Sequence, residues 1–423
     1  MNGLNEAVPD TEKQPPTDAK IATSRSVSNT TLKAMNQRMI LEAIFEKSLT
    51  SRTELSNDLL LSKPAIADNL GDLLSIGIVQ ECGEGEVAKG GGRKPRLLRF
   101  NKNHKYIIAI ELNYKDPIFV LGNLKGDIFN EFSVKISENA NSQVRMELIK
   151  NAIHILLNSK DLVSEDLACI AISSPGVFPD RKELSFANPQ FKDWFDLDLP
   201  NFISEEFKVD VLLKNDVNMA TFGESRYGAG RNSQNMLYIS CGIGLGAGLI
   251  LDSRLYEGRF NSAGEIFNNI DPAKLNAGTN LEKTIFLSAL IRCTQETVKK
   301  KNAYEEDFSD FSSVVKAYQD ENPYIMRHLE EIGTELGCVV SNIVNLLSID
   351  MVIIGGEYVV FHQVLIDKIS SIVNKHCLFT PSIVPSELGH NAGIMGLFAI
   401  SRENYFDSII KSKQPASSSF HTG

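Results

Sequence analysis

The chain has 423 residues, of which 43% are hydrophobic and 23% are charged, and its formal net charge is −10. This length exceeds one ordinary domain, so we expect two or three units with a substantial core. The charge excludes a protein coated in nucleic acid but allows a small DNA-binding module, because charge need not be spread evenly. No apolar run reaches the roughly 18 residues that span a bilayer, and the six cysteines lack metal-ligand or disulfide spacing. We therefore expect no membrane association and reduced thiols in a cytoplasm.

Residues 1–30 are rich in Pro, Thr, Ser and Asn and contain no apolar signal segment. This composition predicts a disordered tail and a cytoplasmic protein. Three short helices are predicted after it, in segments 35–48, 51–60 and 61–79, because apolar residues recur at helical spacing in the first and third. Ser62 is placed to cap the third helix. Three helices joined by tight turns are typical of a helix-turn-helix unit, whose third helix enters the major groove of DNA.

Residues 79–100 predict a hairpin with a glycine-rich tip. From the tip onward the stretch carries these basic residues: Lys89, Arg93, Lys94, Arg96, Arg99, Lys102 and Lys105. A solvated basic linker would have the same composition. Because the segment follows three predicted helices, we interpret it as a wing. Its arginine would lie in the narrow minor groove, where the negative potential attracts guanidinium groups.

We predict that this winged helix-turn-helix domain spans residues 31–103. Asp68 and Asp72 belong to the proposed recognition helix, so other residues of that helix must form most of the face towards the groove. The predicted DNA contacts are Ser62, Lys63, Ala67 and Asn69 from the helix, and Arg93, Lys94 and Arg96 from the wing.

From Tyr106 onward, strand and helix signals alternate, which predicts an α/β body. The strand candidates are residues 106–112, 118–124, 166–173, 209–215, 235–242 and 351–356. The helix candidates are residues 141–159, 281–301, 323–347 and 390–402. A body of this size is larger than one core usually spans, so two lobes with a cleft are expected. We place the first lobe at 104–228, completed by about 390–412, and the second at 229–389, with a disordered tail at 413–423.

Six motifs of this body are specific when taken together. They are SSPGVF (173–178), ANPQF (187–191), KNDVNMATFGESRYG (214–228), YISCGIGLGAGLIL (238–251), GRFNSAGEI (258–266) and VNLLSIDMVIIGGEY (344–358). In order and spacing they resemble the ROK family of sugar kinases and sugar-responsive repressors, over residues from about 35 to 402. The resemblance implies a two-lobed, actin-like α/β ROK sugar-kinase fold preceded by a small winged helix-turn-helix domain. That domain is found in the repressor branch, which includes the N-acetylglucosamine and xylose repressors.

The resemblance also implies a sugar site. In the family's kinases, the aspartate of an Asn-Asp pair is the general base that takes a proton from a sugar hydroxyl. This position is Asp216 here, after Asn215, and the other sugar contacts would be Asn188, Glu265 and Glu282. The alternative is that these polar residues only cap helices or line solvated turns. We expect them to contact sugar.

The first phosphate loop departs from the family pattern. In the family it follows the first strand as an acidic residue, two glycines and a small hydroxyl residue, whose backbone N–H groups approach the phosphates. Here Glu111 is followed by Leu, Asn and Tyr at 112–114, which would block a triphosphate, and by Asp116, which would repel it. The second loop at 241–248 and the glycine pair at 355–356 are retained. We therefore predict no phosphoryl transfer and no catalytic residue.

A second departure concerns zinc. Family members carry a Gly-His pair after the glutamate of AGE and its isoleucine, and then a short cysteine cluster that binds structural zinc. Phe267 and Asn268 stand at the Gly-His places, and residues 275–282 contain no cysteine. Between His154 and His328 there is no histidine. Tetrahedral zinc needs thiolate or imidazole ligands, so we predict no metal and no cofactor.

These features predict a kinase-inactive, sugar-responsive transcriptional regulator that represses carbohydrate-use genes. Its partners would be double-stranded operator DNA, a sugar or sugar phosphate effector, and further copies of itself in a homodimer or homotetramer. Two alternatives stay open. One is an ATP-dependent sugar kinase with an appended DNA-binding domain, and the other is a ligand-independent DNA-binding protein with a decayed sugar pocket.

Overall fold

The computed structural model describes residues 29–85, 94–113, 116–137, 140–176, 197–266, 281–300 and 308–412. The chain divides into two compact units. Unit 1 comprises Met1–Ile76, Glu81–Arg99 and Ile410–Gly423, and unit 2 comprises Gly77–Gln80 and Phe100–Ile409. Among the described helices, none combines the length and apolarity that a membrane span needs.

The described part of residues 29–100 contains three helices and a small sheet. The helices are α1 (Asn29–Glu46), α2 (Arg52–Asp58) and α3 (Lys63–Ile76). The strands are β1 (Thr50–Ser51), β2 (Val79–Glu84) and β3 (Arg96–Phe100), in the order β1-β3-β2. Residues 29 and 30, which the sequence assigned to a tail, belong to α1. Otherwise the two predicted tails lie outside the described residues.

The helices of unit 1 are held by a local cap and a common apolar core. Ser51 caps α2, accepting a hydrogen bond from the Glu54 N–H, and the Glu54 side chain accepts one from the Ser51 N–H. This reciprocal pair satisfies two N–H groups that a helix start leaves without partners. The fully buried core residues are Ile40, Leu41, Ile44, Leu55, Ile66, Leu70, Leu73 and Leu98.

Unit 2 contains two five-stranded sheets. The first has the order β6-β5-β4-β7-β8, with strands β4 (Tyr106–Glu111), β5 (Ile118–Asn123), β6 (Ile128–Ser133), β7 (Leu167–Ser174) and β8 (Val211–Asn215). The second has the order β11-β10-β9-β12-β13, with strands β9 (Met236–Cys241), β10 (Leu245–Leu251), β11 (Arg254–Leu255), β12 (Met351–Gly355) and β13 (Ser382–Pro385). In each sheet the first two pairings are antiparallel and the last two are parallel.

Each sheet has its own hydrophobic core. The helices of unit 2 are α4 (Ser142–Asn158), α5 (Leu199–Phe207), α6 (Asp216–Tyr227), α7 (Glu282–Ile285), α8 (Leu287–Lys300), α9 (Phe311–Gln319), α10 (Pro323–Leu347), α11 (His362–His376) and α12 (Ala392–Ser412). One core lies between the first sheet and helices α4 and α5. The other joins the second sheet to α8, α9, α10 and α11. Central strands such as β4 and β7 are buried along nearly their whole length, as in parallel sheets covered by helices.

Two helix predictions need correction. The predicted helix 281–301 is divided into α7 and α8 at Phe286, and the predicted helix 390–402 is the first part of α12, which ends at Ser412. Helices α6 and α12 pack backbone to backbone. A side chain at Gly223 would overlap the Ala392 carbonyl, and one at Gly396 would overlap the Met219 carbonyl. This contact fixes α6, which carries the main site residues.

Candidate functional site

The Asn-Asp pair lies at the junction of β8 and α6. Asn215 caps the helix, because its Oδ1 accepts from the Asn218 N–H at 2.9 Å. Its Nδ2 donates to the Gly176 carbonyl at 3.0 Å, which ties the segment after β7 to the same junction. Asp216 is the first residue of α6 and is partly buried. Its Oδ1 accepts from the Val217 N–H at 2.8 Å.

Asp216 interacts electrostatically with three further carboxylates, and we call Glu111, Asp216, Glu265 and Glu357 the carboxylate cluster. Burial and the charge of Glu357 raise the pKa of Asp216 to about 6. Burial, then the charges of Asp216 and Glu357, raise the pKa of Glu111 to about 7. Burial and Asp216 also raise the pKa of Glu265. Carboxyl groups with such pKa values both donate and accept hydrogen bonds near neutral pH, which suits a polyhydroxyl ligand.

The remaining predicted sugar residues are only partly described. Asn188 lies outside the described residues. Glu282 is the first residue of α7, but the structure describes only its backbone. The segment that carries Glu265 packs on β10, where the Ala247 N–H donates to the Gly264 carbonyl at 2.8 Å. The structure thus brings Asn215, Asp216 and Glu265 together, while sugar contact by all five residues stays a prediction.

The turn after β4 begins with a buried residue and is closed by a side chain of its own. Leu112 is 3% exposed and belongs to the core of the first sheet. Its N–H donates to the Ser173 carbonyl at 2.8 Å. The Asn113 Oδ1 accepts from the Asp116 N–H at 2.7 Å, which closes the turn with a side chain. No glycine leaves the backbone bare at these positions.

The glycines of the second loop serve packing. A side chain at Gly246 would lie 3.0 Å from the Val217 Cγ2 atom, and one at Gly248 would overlap Thr221. Both glycines therefore let β10 lie directly against α6. At the tip, the Gly242 N–H donates to the Gly244 carbonyl at 2.9 Å. These two glycines are explained by the close approach of a strand and a helix, without a bound phosphate.

Glu357 was not singled out from the sequence, and the structure places it at this loop. It follows the glycine pair at 355–356, and its Oε2 accepts from the Ile243 N–H at 3.3 Å. The positions that bind zinc in the family, around Phe267 and Asn268, lie outside the described residues. Within the described ranges, no group of three or more His, Cys, Asp or Glu residues is arranged to hold a metal ion.

In unit 1, the exposed face of α3 carries three of the four predicted helix contacts. Ser62, Lys63 and Ala67 are exposed. The prediction for Asn69 is wrong, because its side chain is 3% exposed and its Nδ2 donates to the Ala65 carbonyl at 2.8 Å. A side chain buried within the unit cannot also contact a base edge.

The acidic residues of α3 are held by α1. The Lys33 ammonium lies 2.9 Å from Asp72 and 3.4 Å from Asp68, and the Gln37 Nε2 donates to Asp72 at 2.7 Å. The hydrogen bond to Asp72 is the main cause that raises the pKa of Lys33. Part of the negative charge of α3 is therefore balanced by its neighbouring helix.

The basic residues of the wing make ion pairs with its other strand. The Arg96 guanidinium lies 2.6 Å from Glu81, and the hydrogen bond between them lowers the pKa of Glu81. Arg52, at the start of α2, reaches the same carboxylate at 2.9 Å. Lys94 is exposed, 4.0 Å from Glu84. Arg93 lies outside the described residues. Arg52 is a basic residue beside the wing that the sequence did not single out, because the β1–β3 pairing brings it there.

With the geometry established, comparison with known proteins gives the family. The profile of the ROK family matches residues 107–404. This chain belongs to the ROK family. It is 27% identical over 391 residues to the xylose repressor of Bacillus spizizenii, covering 90% of this chain and 98% of that protein. It is 23% identical over 392 residues to the DNA-binding transcriptional dual regulator NagC of Escherichia coli, covering 90% and 95%.

Solved ROK structures confirm the predicted fold. A ROK family transcriptional regulator, a homologue of the Escherichia coli MLC protein, matches with a TM-score of 0.76 at 21% identity, over 90% of this chain and 98% of that one. A ROK glucokinase from Streptomyces griseus, in complex with glucose and AMPPNP, matches with a TM-score of 0.59 at 19% identity, over 70% of this chain and 99% of that one. The α/β ROK sugar-kinase fold with a small amino-terminal domain is therefore shown.

Proposed function

We propose that this ROK protein is a sugar-responsive transcriptional repressor that works in the cytoplasm and has no kinase activity. One observation carries the proposal. Residues 1–99 make up nearly a quarter of the chain. The match to the xylose repressor covers 90% of the chain, so it must include part of this region as well as the ROK body. Repressor relatives thus share both units, and the DNA-binding unit has a clear purpose only in a regulator.

Unit 1 would bind operator DNA through α3 and the wing. Ser62, just before α3, and Lys63 and Ala67 on α3 are exposed, and they would face the major groove. Arg93, Lys94 and Arg96 would contact the phosphates and the minor groove from the wing. Arg96 would exchange its ion pair with Glu81 for a phosphate. A two-fold dimer would read two half-sites about 34 Å, or a multiple of this, apart.

Unit 2 would bind the effector at the carboxylate cluster. Asp216 and Glu265, with Asn188 and Glu282 as further expected contacts, offer hydrogen-bonding groups to sugar hydroxyls. Binding would bias the spacing of the paired DNA-binding units, so a modest rotation of the lobes would misplace one of them on its half-site. Asn113 supports the absence of kinase activity, because its side chain closes the turn where a triphosphate would need bare backbone.

The test is an operator-binding titration with the full-length protein. A DNA site is first selected from a random pool, and the effector is found by a thermal-shift screen of monosaccharides and their phosphates, since a ligand that binds only the folded state raises its stability. Asp216→Ala should leave DNA affinity without sugar unchanged. It should raise the sugar concentration needed for the response roughly ten- to 150-fold, because a hydrogen bond to a charged group contributes about 1.5–3 kcal/mol.

The matched control is Asp367→Ala, which removes an exposed carboxylate on α11. It should respond as the wild type does. An Asp216→Ala protein that responds at the wild-type concentration would show that this carboxylate does not bind the effector. A coupled ADP-release assay with the same sugars tests the kinase alternative, and steady turnover by the wild type would overturn the proposal.

A further inference from the structure

The chain after β12 passes directly over the end of β9. Gly356 has a φ of 73°, in the left-handed region. A side chain at this position would lie 2.5 Å from the Cys241 carbonyl oxygen and 2.7 Å from the Cys241 nitrogen. Only glycine tolerates both the conformation and the contact. Because the two backbones touch here, the next residue, Glu357, lies beside the loop that follows β9.

The Glu357 carboxylate occupies the open side of that loop. Its Oε2 accepts from the Ile243 N–H at 3.3 Å. The same carboxylate lies directly against Gly242, so that even a methyl group at Gly242 would overlap it. Backbone N–H groups in glycine-rich turns commonly donate hydrogen bonds to phosphate oxygens. In this protein an anionic side chain of the chain itself already takes that position.

The charge of Glu357 extends to the rest of the carboxylate cluster. It acts on both Glu111 and Asp216, whose pKa values it helps to raise. Lys214, the residue before the Asn-Asp pair, is engaged by Glu257 at 3.1 Å. An incoming phosphate would therefore meet like charges in partly buried surroundings, where such repulsion is strong. An uncharged sugar would meet only hydrogen-bonding groups.

We propose that Glu357 is a specificity-determining residue that occupies the phosphate position of the second glycine loop and restricts the site to uncharged, unphosphorylated sugars. Nucleotides and sugar phosphates are rejected by its charge. The choice of ligand class rests on the function proposed above for the carboxylate cluster. The occupation of the loop by Glu357 is independent of that function.

The experiment uses full-length protein and a graded series at position 357. Glu357→Gln keeps the side-chain length and an oxygen acceptor for the Ile243 N–H while it removes the charge, and Glu357→Lys reverses the charge. Calorimetry with inorganic pyrophosphate and with ADP should give the weakest binding for wild type, at least tenfold stronger binding for Glu357→Gln, and the strongest for Glu357→Lys. Loss of structure would not produce gains in this order. Glu387→Gln, at an exposed glutamate paired with Arg231, is the matched control and should bind as the wild type does.

The second arm compares glucose with glucose 6-phosphate, and N-acetylglucosamine with its 6-phosphate, by the same method. Wild type should prefer the unphosphorylated member of a pair that binds, and Glu357→Gln should reduce this preference at least tenfold. Equal pyrophosphate affinity across the series, or a wild type that prefers a sugar phosphate, overturns the proposal. If the pyrophosphate series holds while no sugar binds or alters DNA binding, the occupied loop stands and the effector function is wrong.

Discussion

The two sheets of unit 2 have the same construction but treat the turn after their first strand differently. In chain order each sheet arranges its strands as third, second, first, fourth and fifth, with the same sequence of antiparallel and parallel pairings. The first strand is β4 in one sheet and β9 in the other. After β4, Leu112 turns into the core at 3% exposure, whereas after β9 Ile243 is 68% exposed.

One topology thus leaves two similar strand ends, and side chains decide what each of them can bind. After β4, Leu112 packs into the core and the amide of Asn113 closes the turn. The turn after β9 keeps its bare backbone, but Glu357 accepts a hydrogen bond from it. The protein thus closes both turns with its own groups, with an amide in one half and a carboxylate in the other.

The largest effect is expected from truncating the apolar residue of each turn. Leu112→Ala should lower the free energy of unfolding by about 2–5 kcal/mol, because it leaves a cavity in a packed core. Ile243→Ala, the matched change in the other sheet, should cost within about 0.5 kcal/mol, since this side chain is mostly in solvent. Urea denaturation of both variants measures the difference. Similar losses for the two would mean that the turns are packed alike.

The strands of this comparison could be predicted better than their pairing. Strands β4, β7 and β12 are apolar over most of their length because both faces are buried, and such runs stand out in a sequence. The two sheets share a strand order, but the sequence shows no fixed-period repeat, because packing and not residue identity preserves that order. The position of Glu357 depends on a contact between β9 and β12, which are far apart in the chain. No local sequence pattern predicts this contact.

The error at Asn69 has a different origin. Asn69 lies three residues after Ile66, one before Leu70 and four before Leu73, which places it within the apolar stripe of α3. Helical phase alone would have predicted its burial. Its polarity suggested a groove contact, but the amide nitrogen is satisfied by the backbone of the preceding turn. Periodicity was the better guide here than residue type.

The second prediction concerns Glu111, the last residue of β4, which precedes the turn closed by Asn113. Burial and the charges of Asp216 and Glu357 raise its pKa from 4.5 to about 7. The folded state therefore binds this proton more tightly than the unfolded chain, so wild type should lose stability as pH rises from about 4.5 to about 7. Glu111→Gln cannot ionise. It should be more stable than wild type at pH 8, by up to about 3 kcal/mol, and nearly equal to it at the acid end.

Denaturation across this pH range provides the measurement. Glu131→Gln, at an exposed glutamate of β6 in the same sheet, is the control and should follow the wild-type curve. If Glu111→Gln shows the full wild-type pH dependence, the carboxyl group of Glu111 does not carry the proton that we assign to it.

A smaller effect is expected at Asn113. Asn113→Ala removes the acceptor for the Asp116 N–H and should cost about 0.5–1.5 kcal/mol, the net contribution of an ordinary hydrogen bond. The turn after β9 is closed by a backbone hydrogen bond from Gly242 to Gly244, and a side chain at Gly244 would meet no atom within 4 Å. Gly244→Ala should therefore be within about 0.5 kcal/mol of wild type. An Asn113→Ala protein as stable as wild type would show that its turn is held by other contacts.

The smallest effect is expected where the two halves are joined by charge. Lys214 on β8 and Glu257 after β11 lie 3.1 Å apart, and each side chain is about a quarter exposed. Water and salt screen a pair of this kind, so a double-mutant cycle of Lys214→Met and Glu257→Gln should give a coupling energy of about 0.2–1 kcal/mol. The coupling should shrink at 1 M salt, where the screening length falls to about 3 Å.

The pair Arg327–Glu331 on α10, within one half, provides the reference, with about 0.3–0.5 kcal/mol expected for a helical i,i+4 pair. A coupling above 2 kcal/mol for Lys214 and Glu257 would contradict this ranking. It would mean that the ion pair, and not the packing of β10 on α6, does most to hold the two halves together.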